Sequence, residues 1–162
     1  MADRLKGKVA IVTGGARGMG EATVRAFVAE GAQVVFGDVL DEPGEALARE
    51  LGAAAAFVHM DVRQQAHWDR AIARAQAFGP LNVLVNNAAV VMMKSILDTT
   101  EEDYMRVVSI NQLGTFLGIR SVINPMKAAG GGSIINIASI DAMMSKNSST
   151  PTGTPGDLAT WQ

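Results

Sequence analysis

Val9-Ala10-Ile11-Val12-Thr13-Gly14-Gly15-Ala16-Arg17-Gly18-Met19-Gly20 runs from an apolar segment through a glycine turn into a helical pattern. A strand, a glycine turn and a helix start, in that order, are the context in which Gly-x-x-x-Gly-x-Gly signals dinucleotide binding. Glycines let the backbone approach a pyrophosphate with no Cβ in the way, and the first N–H groups of the helix offer it partial positive charge. A tight turn without a ligand would need neither this glycine spacing nor the acid, Asp38, that ends the next apolar run.

Outward from that turn the chain alternates strands and helices. The first helix is expected from Gly18 to Glu30, stopped by Gly31, and Gln33 to Asp38 reads as the second strand. Asp41 is placed to cap a helix running to about Leu51, with Pro43 in its first turn and Gly52 after it. Ala55-Ala56-Phe57-Val58-His59 is a weaker strand, whose alanines suit a helix equally well. Ala66 to Phe78 reads as a helix closed by Gly79-Pro80. Asn82-Val83-Leu84-Val85-Asn86 is apolar without alternation, the pattern of a strand buried on both faces. Thr99-x-x-Glu102 resembles a capping box for a long helix to about Lys127, and Ser133 to Ala138 follows three glycines as a fifth strand. This repetition predicts an α/β fold, a doubly wound parallel sheet of Rossmann type ending after the fifth strand, with ligands at the carboxyl ends of its strands.

Composition narrows the function. The chain has 162 residues, one domain by length, and 48% apolar with 19% charged residues is globular, not disordered. A net charge of −2 gives no electrostatic footprint for nucleic acid or an anionic membrane. The chain contains no cysteine, so no thiolate nucleophile, disulfide or cysteine metal site is available. Its N-terminus is too charged for a signal peptide, and no apolar run reaches membrane-spanning length. The expectation is a cytoplasmic protein acting on a small molecule, without nucleic-acid or membrane partners.

Thr13 to Gly20, Asp61-Val62, Asn86-Asn87-Ala88-Ala89 and Ile134-Ile135-Asn136-Ile137-Ala138-Ser139 occur in the order found in short-chain dehydrogenases/reductases. Residues 5–143 resemble the first part of that family, nearest to bacterial NAD-dependent hydroxysteroid dehydrogenases. The family's usual Asn-Asn-Ala-Gly ends here in Ala89. The resemblance implies hydride transfer between a nicotinamide and a secondary alcohol or ketone. It implies cofactor contacts from Thr13, Gly14, Arg17, Gly18, Met19, Gly20, Asn87 and Ala88, with Asp61 and Val62 at the adenine edge. It also implies that Ser139 bonds the substrate oxygen and that Asn111 holds a water in a proton relay. Each has a plainer reading: a strand-end turn for Ser139, a backbone contact for Asn111 and a helix cap for Asp61. Asp38, placed to accept from the adenosine ribose hydroxyls, would repel a 2′-phosphate and argues for NAD over NADP. Arg17 is the contrary sign, either a partner for that phosphate or a solvated loop arginine.

The family's acid/base is a tyrosine, with a lysine four residues later that lowers its pKa. By the usual spacing Thr152 and Gly156 stand in those places, and the single tyrosine, Tyr104, is followed by Val108. From about Ser145 the chain is rich in Ser, Thr, Pro and Gly, so residues 1–143 are expected to form the domain and 144–162 an irregular, disordered tail. Two histories fit: a truncated or frame-shifted copy of a complete enzyme, or a natural nucleotide-binding protein without catalysis. Oxidoreductase and non-catalytic nucleotide-binding fragment therefore both stay open, and the substrate is undetermined. His59 and His67 lack metal-ligand spacing and are expected to be structural. Met92-Met93 and Met143-Met144 fit either a substrate mouth or filled apolar gaps. The long helix is apolar on several sides, in keeping with the oligomers that full-length relatives form. With the fifth strand expected as an open sheet edge, the chain is expected to be aggregation-prone.

Overall fold

The structure is a computed structural model that describes residues 3–139. The expected tail 144–162, with the positions of Thr152 and Gly156 and the pair Met143-Met144, lies outside the described residues. The strands β1 (Val9–Thr13), β2 (Gln33–Asp38), β3 (Ala55–His59), β4 (Leu81–Asn86) and β5 (Ser133–Asn136) form one sheet in the order β3-β2-β1-β4-β5. Every neighbouring pair is parallel. The chain winds outward from β1 to β3 and then returns to β4 on the other side of β1. The order therefore reverses between β1 and β4, and a crevice opens there at the carboxyl ends. The doubly wound parallel sheet expected from the sequence is the fold observed.

The helices are α1 (Gly18–Ala29), α2 (Asp41–Leu51), α3 (Gln65–Gln76), α4 (Glu101–Val108) and α5 (Gly114–Ala128). Successive strand residues face opposite sides. Val9, Ile11, Val35 and Leu84 pack on one side with Trp68, Ala71, Leu117 and Val122 of α3 and α5. Ala10, Val12, Val34, Phe36, Val83 and Val85 pack on the other with Val24 and Leu47 of α1 and α2. Both faces are covered, so β1, β2 and β4 read as unbroken apolar runs. The register slips between Val9 and Ala10 along β4, where the Asn82 side chain accepts the Val9 N–H at 3.0 Å.

Several boundaries differ from the expectations, each for a tertiary reason. Asp41 does not cap α2: Leu40 holds the N-cap position, and the Asp41 carboxylate meets His59 Nδ1 at 2.7 Å across the sheet edge. The alanine-rich segment is a strand because it pairs with β2 from Val34 to Asp38. The capping box lies one residue later than expected, between Thr100 and Asp103, while the Thr99 hydroxyl donates to the Ser95 carbonyl at 2.8 Å. The long helix is divided by a π-helical segment, Ser109–Leu113. Strand β5 stops at Asn136. Gly118 lets α5 lie close to the sheet, since a Cβ there would come within 2.6 Å of Asn86 Oδ1.

Candidate active site at the sheet switch point

Among the described residues the buried polar side chains are Thr13, Asp38 and Asn86. Each is the last residue of its strand, β1, β2 and β4. Buried polar atoms must be bonded, and the partners of these three build the site.

The Thr13 hydroxyl accepts the backbone N–H groups of Asn87 and Ala88, both at 3.0 Å, and reaches the Val85 carbonyl at 3.4 Å. In return the Asn87 side chain donates to the Thr13 and Gly14 carbonyls at 2.9 and 3.1 Å. The glycine turn and the end of β4 are thus stitched across the switch point. Gly14 has φ +65°, and a Cβ on it would stand 2.9 Å from Ala88 Cα. A Cβ on Gly20 would overlap the Gly14 carbonyl oxygen. Both glycines are required by the packing of the turn itself. Gly18, with φ +58°, has open space where its Cβ would project.

The Asp38 carboxylate accepts the Ala16 N–H through one oxygen and the Leu40 N–H through the other, each at 3.1 Å. This fixes its charge beside the glycine turn, and each oxygen keeps a lone pair for a ligand hydroxyl. Arg17 is exposed and makes no ion pair among the described residues. Between β3 and α3, Asp61 takes the Arg63 guanidinium at 2.7 to 3.1 Å. The hydrogen bonds from Arg63 hold the Asp61 carboxyl below the usual carboxylate range, against its partial burial.

These residues share one cleft of 980 Å³, lined by Gly14, Arg17, Gly18, Met19, Gly20, Asp38, Asp61, Val62, Asn87 and Ala88. Thr13 lies beneath it as the fastening. The far wall mixes apolar Val90, Val91, Met105 and Ile110 with Glu102, Arg106 and Ser109. Asn111 stands behind that wall in the π-helical segment. Its amide accepts the Val90 N–H at 2.9 Å and donates to the Val90 carbonyl at 3.0 Å. A side chain here imitates a strand neighbour and pins the segment that follows Asn87 and Ala88. Ser139, past the carboxyl end of β5, does not belong to the cleft wall. Tyr104 lines a separate pocket of 280 Å³ with Met92 and Val108.

Sequence reasoning missed three contributors. Asn86 donates to the Asn136 side chain at 2.9 Å, and the signal was available: asparagines at matched ends of the two apolar strands. The π-helical segment had no signal in local periodicity. His67, expected only to be structural, accepts the Asp61 N–H at 2.8 Å through Nδ1. Among the described residues no group of three or more His, Cys, Asp or Glu is arranged to hold a metal, and no helix is long and apolar enough to cross a membrane.

Residues 8–151 match the short chain dehydrogenase family. The chain is 56% identical over 144 residues to a 3-alpha-(or 20-beta)-hydroxysteroid dehydrogenase of Mycobacterium tuberculosis, covering 88% of this chain and 55% of that protein. It is 43% identical over 145 residues to a 3-beta-hydroxysteroid dehydrogenase of Comamonas testosteroni, covering 89% and 57%. A solved structure, 3-ketoacyl-(acyl-carrier-protein) reductase from Brucella melitensis complexed with NADH, superposes with a TM-score of 0.81 at 35% identity, over 85% of this chain and 60% of that one. The chain therefore spans little more than half the length of these curated relatives. A family match over residues 8–151, with relatives 56% and 43% identical to it, shows that this chain belongs to the short chain dehydrogenase family.

Proposed function

We propose that this chain is the cofactor-binding part of an oxidoreductase that moves a hydride between NAD and a secondary alcohol or ketone, with hydroxysteroids as the first substrates to try. The observation that carries the reading is the switch-point cleft, where Asp38 stands fixed beside the glycine turn. Its residues suit a dinucleotide. Gly18 leaves open the space a side chain would fill, and the first N–H groups of α1 have no acceptor within the helix. When bound, the nicotinamide supplies the hydride donor or acceptor. The α1 amides of Gly18, Met19 and Gly20 would bind the pyrophosphate. Asp38 would accept from the adenosine ribose and disfavour a 2′-phosphate, with exposed Arg17 as the opposing charge. Asp61 and Val62 would meet the adenine edge, and Asn87 and Ala88 would wall the opposite side. Ser139 would hydrogen-bond the substrate oxygen. Asn111, which keeps one further donor and one further acceptor beyond its Val90 bonds, would hold the relay water.

A second reading has its own support. By the family's usual spacing, Thr152 and Gly156 would fall in the places of the proton-transfer tyrosine and its lysine. A threonine cannot share its proton at neutral pH, and a glycine has no side chain. On that reading the chain binds nucleotide without turnover. Calorimetric titration with NAD and NADP, followed by absorbance assays with secondary alcohols and steroids, separates the two. Tight NAD binding with turnover about two to four powers of ten below that of the curated relatives favours the non-catalytic reading. Robust turnover that requires Ser139 favours the enzyme, and equal affinity for the two dinucleotides removes the role given to Asp38.

A further inference from the structure

Strand β3 ends at His59 and α3 begins at Gln65, and the five residues between them carry Asp61 into the cleft. Asp61 is held at two points. Its carboxylate is gripped by Arg63, and its backbone N–H donates to His67 Nδ1 at 2.8 Å. A ring nitrogen that accepts carries no proton, so the neutral ring has its hydrogen on Nε2.

The surroundings of His67 favour that neutral state. The ring is half-buried and sits in the first turn of α3, where the helix dipole opposes a cation. Arg70 faces it from the same helix. From β3 the His59 ring lies edge-on at 5.6 Å, itself bonded to Asp41 of α2. From the loop comes Asp61, already paired with Arg63. Desolvation first, then Arg70 and His59, hold the imidazole below its ordinary value, and Asp61 is the opposing influence.

We propose that His67 is a positioning residue for the adenine end of the cleft. Its neutral ring holds the Asp61 backbone in place, and protonation turns the acceptor into a donor facing a donor, which releases the loop and weakens dinucleotide binding in acid. This rests on the reading above that Asp61 and Val62 meet the adenine. No covalent step is involved, and the device needs only the proton.

The test uses the full 162-residue chain. NADH affinity is measured by calorimetry at about pH 8 and about pH 5.5, on either side of the ordinary imidazole value. The Asp61 amide and the His67 ring are followed by NMR over the same range without ligand. One hydrogen bond lost predicts a rise in Kd of about fivefold to tenfold on acidification. His67→Asn keeps an acceptor that does not titrate; it should bind at about pH 8 within about threefold of the unmodified chain and lose most of the pH dependence. His59→Asn removes one of the groups that hold His67 neutral, so it should keep the pH dependence and move its midpoint up. An Asp61 amide that ignores the His67 titration overturns the proposal while leaving the nucleotide reading intact. So does a His67→Asn chain with unchanged pH dependence. Absence of NADH binding at both pH values overturns the nucleotide reading, and this proposal with it.

Discussion

Ala10-Ile11-Val12 in β1 and Ile134-Ile135 in β5 carry the same apolar signal, yet the first three are fully buried while the isoleucines are 37% and 41% exposed. The difference lies in the neighbours. β1 has β2 and β4 on its two edges and helices over both faces. Among the described residues β5 pairs with β4 alone. An apolar strand is stabilised only by what covers it, so equal sequence signals mark unequal contributions to stability. The same contrast separates the carboxyl ends of the strands. At the β1–β2 end Thr13 and Asp38 are buried and bonded to backbone N–H groups, whereas Asn136, the last residue of β5, is exposed.

The sharpest way to break this comparison is to remove one buried anchor from the covered side. Trp68 is fully buried and donates its indole N–H to the Val62 carbonyl at 2.8 Å. Trp68→Ala should cost about 3–5 kcal/mol in urea unfolding. Ile135→Ala should cost less than about 1 kcal/mol, because little burial is lost. Equal costs would mean that β5 is covered in solution. Ile135→Lys, scored by light scattering, should reduce any self-association through β5, which among the described residues pairs on one edge only.

Next in size is the glycine turn. Gly20→Val forces a side chain onto the Gly14 carbonyl. Overpacking of about 1–3 kcal/mol at that contact should weaken NADH binding by at least about tenfold in calorimetry. Unchanged binding would separate the turn from the nucleotide. Asp38→Ala removes the charge beside the turn and should narrow the preference for NAD over NADP by about tenfold, one charge-assisted hydrogen bond and its repulsive counterpart. A preference left unchanged would shift specificity to another residue.

The smallest effect is on stability against pH. The folded His67 imidazole lies below its unfolded value, so the unfolded chain takes up the proton first. Its contribution is complete above about pH 6.5 and is lost as the pH falls from there towards the folded value. Thermal unfolding should show a lower Tm on acidification through that window, and His67→Asn should flatten that part of the curve. The Asp61 carboxyl, lowered by Arg63, acts in the same direction further down, with its contribution lost below about pH 4.

The parts of the site legible in the sequence were those built from local rules. An apolar run, a glycine turn and a helix start are neighbours in the chain, and they remain neighbours in space. Asp38 follows within one strand-helix unit, so its place at the cleft was also readable. The capping box was less so: Thr99 to Glu102 and Thr100 to Asp103 satisfy the same spacing, and Asp103 is the one that pairs with Lys94. Asp41 carries the chemistry of a cap, but His59, 18 residues away, takes its carboxylate instead.

By itself the sequence determined the alternation of strands and helices, the glycine turn and the acid that follows it, because periodicity and backbone freedom act over a few residues. The tertiary structure alone decided which partner each polar group finds. Thr13 with Ala88, Asn86 with Asn136 and Asn111 with Val90 join segments far apart in the chain that meet only in the folded sheet. Asn111 makes its bonds from within the π-helical segment, and His67 touches the cleft only through the Asp61 backbone. The physical reason is that a buried donor or acceptor takes whichever partner the packed strands and helices bring within reach, and local periodicity carries no record of that encounter.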